Sequence, residues 1–133
     1  MLRLSKMADY AGVIAVHIAR EPARVHTAAS LAGALGLPKT TVAKCLKALA
    51  GAGVLSSQRG VHGGYALAKP AKDISVAEVI YALEGRVQIA ACVDGHEGHC
   101  QIEKTCHLRG GWNTINAKIQ HTLETMSVAD MAK

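Results

Sequence analysis

The chain has 133 residues, of which half are hydrophobic, but it contains only one Trp, three Tyr and no Phe. This length fits one domain, with room for an appended dimerisation element. No apolar run reaches the roughly 18 residues of a membrane span, and the N-terminus lacks the charged and apolar regions of a signal peptide. We therefore expect a cytoplasmic protein, in which clustered cysteines stay reduced and favour metal or redox chemistry over disulfides.

The formal net charge of +5 is divided unevenly along the chain. Residues 1–72 contain ten Lys or Arg and two acidic residues, whereas residues 73–133 contain five basic and eight acidic residues. Because a polyanion is attracted to a basic surface, the first half suits contact with DNA and the second half does not.

The basic half contains three predicted helices. Apolar residues recur at helical spacing after Ser5, a good N-cap, and predict a first helix over residues 5–20. Thr27 and Gly36 bracket a short second helix, and a third helix follows over residues 39–50. Because a turn of a few residues joins the last two, they are typical of a helix-turn-helix.

The third predicted helix has an apolar face and a polar face. Cys45 falls on the apolar face, so we expect it to be a core residue rather than a metal ligand. The polar face is basic and rich in threonine, which suits contact with the major groove. The candidate DNA-binding residues on this face are Lys39, Thr40, Thr41 and Lys44.

A β-hairpin is predicted directly after this helix. Residues 54–58 and 65–68 form its two strands, with a glycine-rich turn between them. A hairpin in this position is the wing of a winged helix. Arg59 at its base, Lys69 at its exit and His62 at its tip are candidates for contact with phosphate or the minor groove. The expected fold is therefore mostly α with a small β-hairpin wing, a winged helix-turn-helix.

A cysteine-rich segment follows a further helix, which a capping box at Ser75 and Glu78 starts and which ends near residue 84. Thiolate and imidazole are the ligands that soft and borderline metals prefer, so a metal or cluster site is the favoured interpretation. Three thiolates and a histidine could also hold zinc, although the usual Cys-x-x-Cys spacing is absent. The segment contains Cys92, Cys100 and Cys106, together with His96, His99 and His107.

The last part of the chain has an apolar stripe that repeats at alternating spacings of four and three residues. It predicts a long helix with little remaining chain to cover it, so we expect the same helix of a second subunit to pack against it. The predicted division is a DNA-binding domain at 1–84, a cluster-binding loop at 85–107, and a dimerisation helix and tail at 108–133. The residues expected at the homodimer interface are Leu108, Trp112, Ile115, Ile119 and Leu123.

The whole chain resembles the Rrf family of winged-helix transcription regulators, which includes the IscR, NsrR and RirA types. The resemblance rests on the order of the helices, the wing motif Arg59-Gly-x-x-Gly-Gly-Tyr65, the segment Ile74-Ser-Val-Ala-Glu-Val-Ile80 and the three-cysteine loop. The opening Leu2-Arg-Leu-Ser-Lys-Met-Ala-Asp-Tyr10 and the ending Ser127-Val-Ala-Asp-Met131 look most like regulators of the Suf iron–sulfur assembly system.

The resemblance implies a homodimer that binds a palindromic operator on double-stranded DNA and changes affinity when a cluster is gained or lost. It implies that the three loop cysteines hold a 2Fe–2S or 4Fe–4S iron–sulfur cluster. The IscR type adds a histidine three residues after the last cysteine, where this chain has Arg109, and His107 is adjacent to Cys106 instead. Asp9 matches the aspartate that the NsrR type supplies across the dimer. The candidate fourth ligands are therefore Asp9 of the partner subunit and the loop histidines.

The leading hypothesis is a repressor of iron–sulfur assembly genes that binds DNA and has neither a membrane nor a small-molecule substrate as a partner. The alternative keeps the DNA-binding module but carries zinc, or uses thiol oxidation as its signal. An enzyme with a catalytic cysteine is not expected, because nothing in the sequence marks an oxyanion hole, an orienting residue or a substrate pocket.

Overall fold

The computed structural model describes residues 2–93 and 100–133. It is mostly α-helical with one two-stranded antiparallel hairpin, which confirms the predicted fold class. Within these residues, none of the helices combines the length and apolar character that a membrane crossing requires. The helices are α1 (Lys6–Arg20), α2 (Ala28–Leu35), α3 (Lys39–Gly51), α4 (Val76–Glu84), α5 (Arg109–Thr125) and α6 (Val128–Met131); the strands are β1 (Leu55–Gln58) and β2 (Gly64–Leu67), and a 3-10 turn covers Ala71–Asp73.

Local capping sets the ends of the first two helices. The Ser5 hydroxyl accepts a hydrogen bond from the backbone N–H of Ala8 at 3.1 Å, and the Thr27 hydroxyl accepts one from Ser30 at 3.0 Å. Gly36 ends α2 with a φ of 69°, in the left-handed region that glycine adopts without a steric penalty. The predicted N-caps and the predicted end of α2 are therefore confirmed.

The hydrophobic core lies between the first four helices and the start of the hairpin. Ile14 and Ile18 of α1 are fully buried, and α1 packs against both α3 and α4. The predicted inward face of α3 is confirmed, because its apolar side chains are all fully buried. That face consists of Val42, Cys45, Leu46 and Leu49.

The wing is joined at its base to the loop between α1 and α2. Besides the pairing of β1 with β2, the N–H of His26 donates to the carbonyl of Tyr65 at 2.9 Å, and the N–H of Tyr65 donates to the carbonyl of His26 at 2.6 Å. A Cβ atom on Gly64 would lie 2.5 Å from the His26 carbonyl oxygen. Only glycine allows this close approach of the two backbones.

The C-terminal end of the chain returns to the N-terminal half. After α5, the carbonyl of Met126 accepts a hydrogen bond from the N–H of Val76 at 2.8 Å. The N–H of Val128 in turn donates to the carbonyl of Ile74 at 2.8 Å. The side chain of Val128 joins the core that α1 and α4 form, so burial of its apolar surface adds to this connection.

The short helix α6 was not predicted from the sequence. It begins at a capping box, in which the Asp130 carboxylate accepts from the Ser127 N–H at 2.9 Å and the Ser127 hydroxyl accepts from the Asp130 N–H at 3.0 Å. These hydrogen bonds lower the pKa of Asp130. The division of the chain into residues 1–84, 85–107 and 108–133 stays a prediction, and α6 packs on α1 of the first part.

Candidate DNA-binding and cluster-binding sites

The polar face of α3 points away from the core. Lys39, Thr40 and Lys44 are exposed and Thr41 is half-buried. Pro38 precedes the helix and provides no side-chain cap for its first N–H groups. A helix N-terminus with free N–H groups attracts phosphate, so this end of α3 combines backbone donors with the positive charge of two lysines.

Two of the three wing candidates lie in the turn of the hairpin, and the third forms an ion pair. Arg59 and His62 lie exposed in the turn between β1 and β2. The Lys69 ammonium instead forms a 2.9 Å ion pair with Glu78. Burial raises the pKa of Glu78, but hydrogen bonds from the Ser75 backbone and from Lys69 outweigh this effect and lower the pKa overall. The side chains of Lys69 and Glu78 have exposed fractions of 43% and 37%, so this pair links the exit of the wing to the start of α4 only weakly.

The three loop cysteines differ in their surroundings. Cys92 is buried, whereas Cys100 and Cys106 are half-buried, and none of these thiols is in a disulfide. The Cys106 sulfur accepts a hydrogen bond from the backbone N–H of Leu108 at 3.4 Å. Hydrogen bonds of this kind to a ligand sulfur are one means by which a protein tunes an iron–sulfur centre.

The cysteine sulfurs are not arranged as a ready single-ion site. Within residues 2–93 and 100–133, the group of three ligand atoms that lie within 4.8 Å of one another, close enough to hold one ion, comes from His17, Glu21 and His26 and not from the cysteines. A single zinc ion on the cysteine thiolates therefore requires the segment to rearrange. His96 and His99, the other predicted loop ligands, lie outside the described residues.

The remaining cysteine is unsuited to bind a metal. Cys45 is fully buried on α3, and its thiol donates to the carbonyl of Met7 at 3.7 Å. Burial raises the pKa of the Cys45 thiol. Because the thiolate is the form that binds metals, a thiol kept protonated in the core is a poor ligand.

Of the candidate fourth ligands, the two that the structure describes, Asp9 and His107, are exposed. Asp9 lies in the first turn of α1 and borders an apolar groove of about 310 Å³ between α1, α4 and α6. His107 lies exposed beside Cys106. Arg109, at the position where the IscR type has a histidine, forms a 3.1 Å ion pair with Glu103.

Two amide side chains of α5 hold the segment that leads to Cys92. Asn116 is buried; its Oδ1 accepts from the Ile89 N–H at 3.0 Å and its Nδ2 donates to the Val87 carbonyl at 3.1 Å. Gln120 donates to the same carbonyl at 3.2 Å. Neither residue was predicted from the sequence, although a polar pair spaced by four on an otherwise amphipathic helix is a visible signal.

The predicted dimer residues form a stripe along α5. Leu108, Trp112 and Ile115 have exposed fractions of 52%, 37% and 43%. Ile119 and Leu123 are half-buried and line an open groove of about 820 Å³. The groove continues onto Ile80 of α4, the residues before α1 and the segment 84–89.

The sequence model of the Rrf2 family, described as an iron-dependent transcriptional regulator, matches residues 4–133. The chain belongs to the Rrf2 family. The protein named rrf2 from Nitratidesulfovibrio vulgaris is 31% identical over 120 residues, which cover 90% of this chain and 77% of that protein. The family expected from the sequence is thereby confirmed, and the finer likeness to regulators of the Suf system stays a prediction.

Two solved structures are similar to this Rrf2-family chain over nearly its whole length. The structure of T. potens IscR has 27% sequence identity and a TM-score of 0.70, and the match covers 98% of this chain and 85% of that one. CymR of B. subtilis, described as the global cysteine regulator, has 24% identity and a TM-score of 0.76, with coverage of 99% and 97%. The family consists of DNA-binding transcriptional regulators, so this protein is a regulator and not an enzyme.

The hydrogen bonds of Asn116 generate a testable prediction. Asn116→Ala leaves the Ile89 N–H without its partner and the Val87 carbonyl with Gln120 alone, so we expect the free energy of unfolding to fall by about 1–3 kcal/mol. In hydrogen exchange, the amide of Ile89 should lose its protection, because opening of this segment then requires less free energy. Chemical denaturation and exchange mass spectrometry measure the two effects.

The matched control is Asn113→Ala, which removes an exposed asparagine from the same helix. Its effect on stability should stay within about 0.5 kcal/mol, as is usual for surface substitutions. Equal effects of the two variants on stability and on Ile89 exchange would contradict the role given to Asn116.

Proposed function

We propose that this Rrf2-family protein represses iron–sulfur assembly genes and changes its operator affinity when Cys92, Cys100 and Cys106 gain or lose an iron–sulfur cluster. The observation that carries the proposal is the set of three free thiols, the first of which follows residues 87–89 that Asn116 of α5 holds by hydrogen bonds. The description of the Rrf2 family as iron-dependent and the likeness to IscR support it.

The donor set fits such a cluster. Thiolates are its usual ligands, and three of them leave one corner for a weaker nitrogen or oxygen donor. When bound, the cluster supplies a centre that oxygen, nitric oxide or iron shortage can remove. Buried Cys92 gives the site a fixed side, whereas half-buried Cys100 and Cys106 leave the other side open to a signal molecule.

We propose Asp9 of the partner subunit as the fourth ligand. The exposed position of Asp9, at the border of the groove beside α1, leaves its carboxylate free to reach a second subunit. A hard carboxylate is poorly matched to a soft metal centre, so this bond is expected to break first. Loss of that bond would release α1 from the dimer axis and re-space the two recognition helices. His96, His99 and His107 are the rival ligands.

A homodimer on a palindromic operator completes the proposal. The exposed stripe of Leu108, Trp112 and Ile115 is apolar surface that a second copy of α5 would bury. The open groove beneath Ile119 and Leu123 offers further apolar surface to the same copy. Two-fold symmetry would then place the two α3 helices in major grooves about one helical turn apart.

A second candidate function uses the thiols themselves as the sensor, with zinc bound or with reversible oxidation as the signal. It is favoured by the partial exposure of Cys100 and Cys106, which leaves both thiols open to oxidants. The fold is also that of CymR, which is described as a cysteine regulator. In this case DNA binding would use the same residues.

The first prediction concerns DNA. With a duplex selected from a random pool for binding to the wild type, Arg59→Ala and Lys44→Ala should each weaken affinity about tenfold or more. Each removes two positive charges per dimer from the proposed DNA interface, so the slope of log affinity against log salt should become shallower by about 2. Thr41→Ala should change base preference more than total affinity.

Lys118→Ala, which removes an exposed positive charge from α5, is the control and should leave affinity and salt slope nearly unchanged. Fluorescence anisotropy at several salt concentrations measures both quantities. If Lys118→Ala reduces affinity as much as Arg59→Ala does, overall charge rather than the winged helix binds the DNA.

The second prediction concerns the dimer. Ile115→Glu combined with Ile119→Glu places two charges per subunit in the proposed interface, where burial of unpaired charge is strongly unfavourable. Sedimentation at micromolar concentration should show a monomer, and operator binding should fall sharply. Lys118→Glu, a charge change at an exposed position of the same helix, should stay dimeric. If the variant with Glu at both Ile115 and Ile119 stays dimeric, the interface lies elsewhere on the protein.

The third prediction concerns the cluster. Protein purified without oxygen should be brown, and serine at any one of Cys92, Cys100 or Cys106 should remove the visible absorption. Cys45→Ala should keep the absorption and reduce stability by roughly 1 kcal/mol, because it truncates only a small core residue. Visible spectra with iron, sulfide and zinc analysis test this, and a colourless wild type that contains zinc would favour the second candidate.

The fourth ligand is tested on the same protein. Asp9→Ala should assemble a cluster that oxygen or a chelator removes faster, whereas alanine at His96, His99 or His107 should not change the lifetime. The opposite pattern, with a normal lifetime for Asp9→Ala and a shortened one for a histidine variant, would assign the ligand to the loop.

A further inference from the structure

A second group of metal-ligating side chains lies at the end of α1, on a different part of the chain from the cysteines. A ring nitrogen of His17, a carboxylate oxygen of Glu21 and a ring nitrogen of His26 all lie within 4.8 Å of one another. Among residues 2–93 and 100–133, this is the only group of at least three His, Cys, Asp or Glu side chains whose ligand atoms lie that close together. Neither the DNA-binding face nor the proposed cluster uses them.

The fold fixes the positions of all three side chains. His17 lies in the last turn of α1, and Glu21 is the residue at which that helix ends. His26 is 2% exposed, and its backbone forms both hydrogen bonds with Tyr65 at the base of the wing. The group therefore connects a helix end, the loop before α2 and, through the His26 backbone, the wing.

The hydrogen bond of His26 leaves a nitrogen available for a metal. Its Nε2 lies 3.2 Å from the backbone carbonyl oxygen of Glu21. A carbonyl oxygen can only accept, so Nε2 carries the proton and Nδ1 keeps the lone pair. Metal-binding histidines usually donate their other ring N–H to a carboxylate or a backbone carbonyl in this way. The bond thus leaves Nδ1 as the ring nitrogen of His26 that can bind a metal.

The electrostatics at this end of α1 favour a cation. The helix terminates here, and its last carbonyl groups carry partial negative charge. Glu21 adds a full negative charge, which at present pairs with Arg24 at 3.1 Å. The side chains of that pair have exposed fractions of 64% for Arg24 and 47% for Glu21, and exposed ion pairs of this kind are weak. A divalent ion can therefore displace Arg24.

A purely structural role would account for part of this arrangement. The rings of His17 and His26 meet edge to face, with centroids 5.8 Å apart and planes at 77°, and such a pair can stabilise packing with no metal. Packing alone does not require an acidic side chain beside the two rings. Only a metal site predicts that removal of Arg24 strengthens zinc binding, because Arg24 pairs with Glu21 and not with the rings.

We propose that His17, Glu21 and His26 bind one divalent ion of the borderline class, with Zn²⁺ as the representative, and that water completes the coordination. Two imidazoles and one carboxylate form a donor set that zinc accepts with a fourth position open to solvent. Because His26 is bonded to the wing, the bound ion would hold the base of the wing against the end of α1. This site is independent of the cysteine cluster.

The test uses the full-length chain with serine at Cys92, Cys100 and Cys106, which removes competing thiolate ligands for zinc. Calorimetric titration with Zn²⁺, together with metal analysis after dialysis, should show one ion per chain. Added Zn²⁺ should raise the thermal midpoint, because a ligand that binds the folded state stabilises it. On this background His17→Ala and Glu21→Gln should each weaken Zn²⁺ affinity by more than about tenfold, since even outer partners of a metal ligand contribute that much.

His121→Ala, which removes an exposed histidine of α5, is the matched control and should leave Zn²⁺ affinity unchanged. Arg24→Ala should strengthen Zn²⁺ binding by up to about fivefold, because Glu21 no longer has a competing partner. Circular dichroism checks that each variant is folded. If His17→Ala proves unstable, Glu21→Gln still tests the site, because it changes only an exposed carboxylate. No Zn²⁺ binding to the triple-serine chain, or binding that His17→Ala and Glu21→Gln leave intact, would overturn the proposal.

Discussion

The two backbone hydrogen bonds that join residues 74–76 to residues 126–128 determine how the rest of the chain is arranged. They attach the end of α5 to the start of α4, which itself packs against α1 and α3. Burial of Val128 in the shared core reinforces this attachment. As a result the C-terminal end of α5 lies against the start of α4 and does not extend away from the core helices.

This attachment gives a physical route between the proposed cluster and DNA. Asn116 and Gln120 hold the segment before Cys92 on α5, and α5 is fastened to α4. The helix α4 packs in turn against α3, whose polar face carries the candidate DNA contacts. Packed helices connected by hydrogen bonds transmit small displacements because tightly packed interiors deform little. We propose this series of contacts as the route by which a change at the cysteines would reach α3.

The fold could be predicted well wherever the decisive interactions are local. Ser5, Thr27, Gly36 and the Ser75 capping box each act within a few residues, so the sequence shows them directly. The helix α6 has the same kind of signal at Ser127, but a four-residue helix has almost no stability of its own. It forms because α6 packs on α1 and on the 3-10 turn and buries Val128 in the core, and these contacts join residues that are far apart in sequence.

The sequence indicated which residue types make up the candidate sites, but it showed less of how those residues are arranged in space. The residue types and spacing identified Cys92, Cys100 and Cys106 as ligand candidates and Cys45 as a core residue. Sequence could not show that Lys69 pairs with Glu78, or that Asn116 reaches back to Val87, since both depend on tertiary packing. The group formed by His17, Glu21 and His26 escaped notice for the same reason, because His26 is positioned by the strand pairing of the wing.

The central claim is that the state of the cysteine segment controls DNA binding. Its most direct test is the operator affinity of one preparation measured without oxygen before and after the cluster is removed, at one salt concentration. The account predicts that the two dissociation constants differ by about 5- to 150-fold, the range of ordinary allosteric coupling. Equal dissociation constants for the loaded and the cluster-free protein would contradict it.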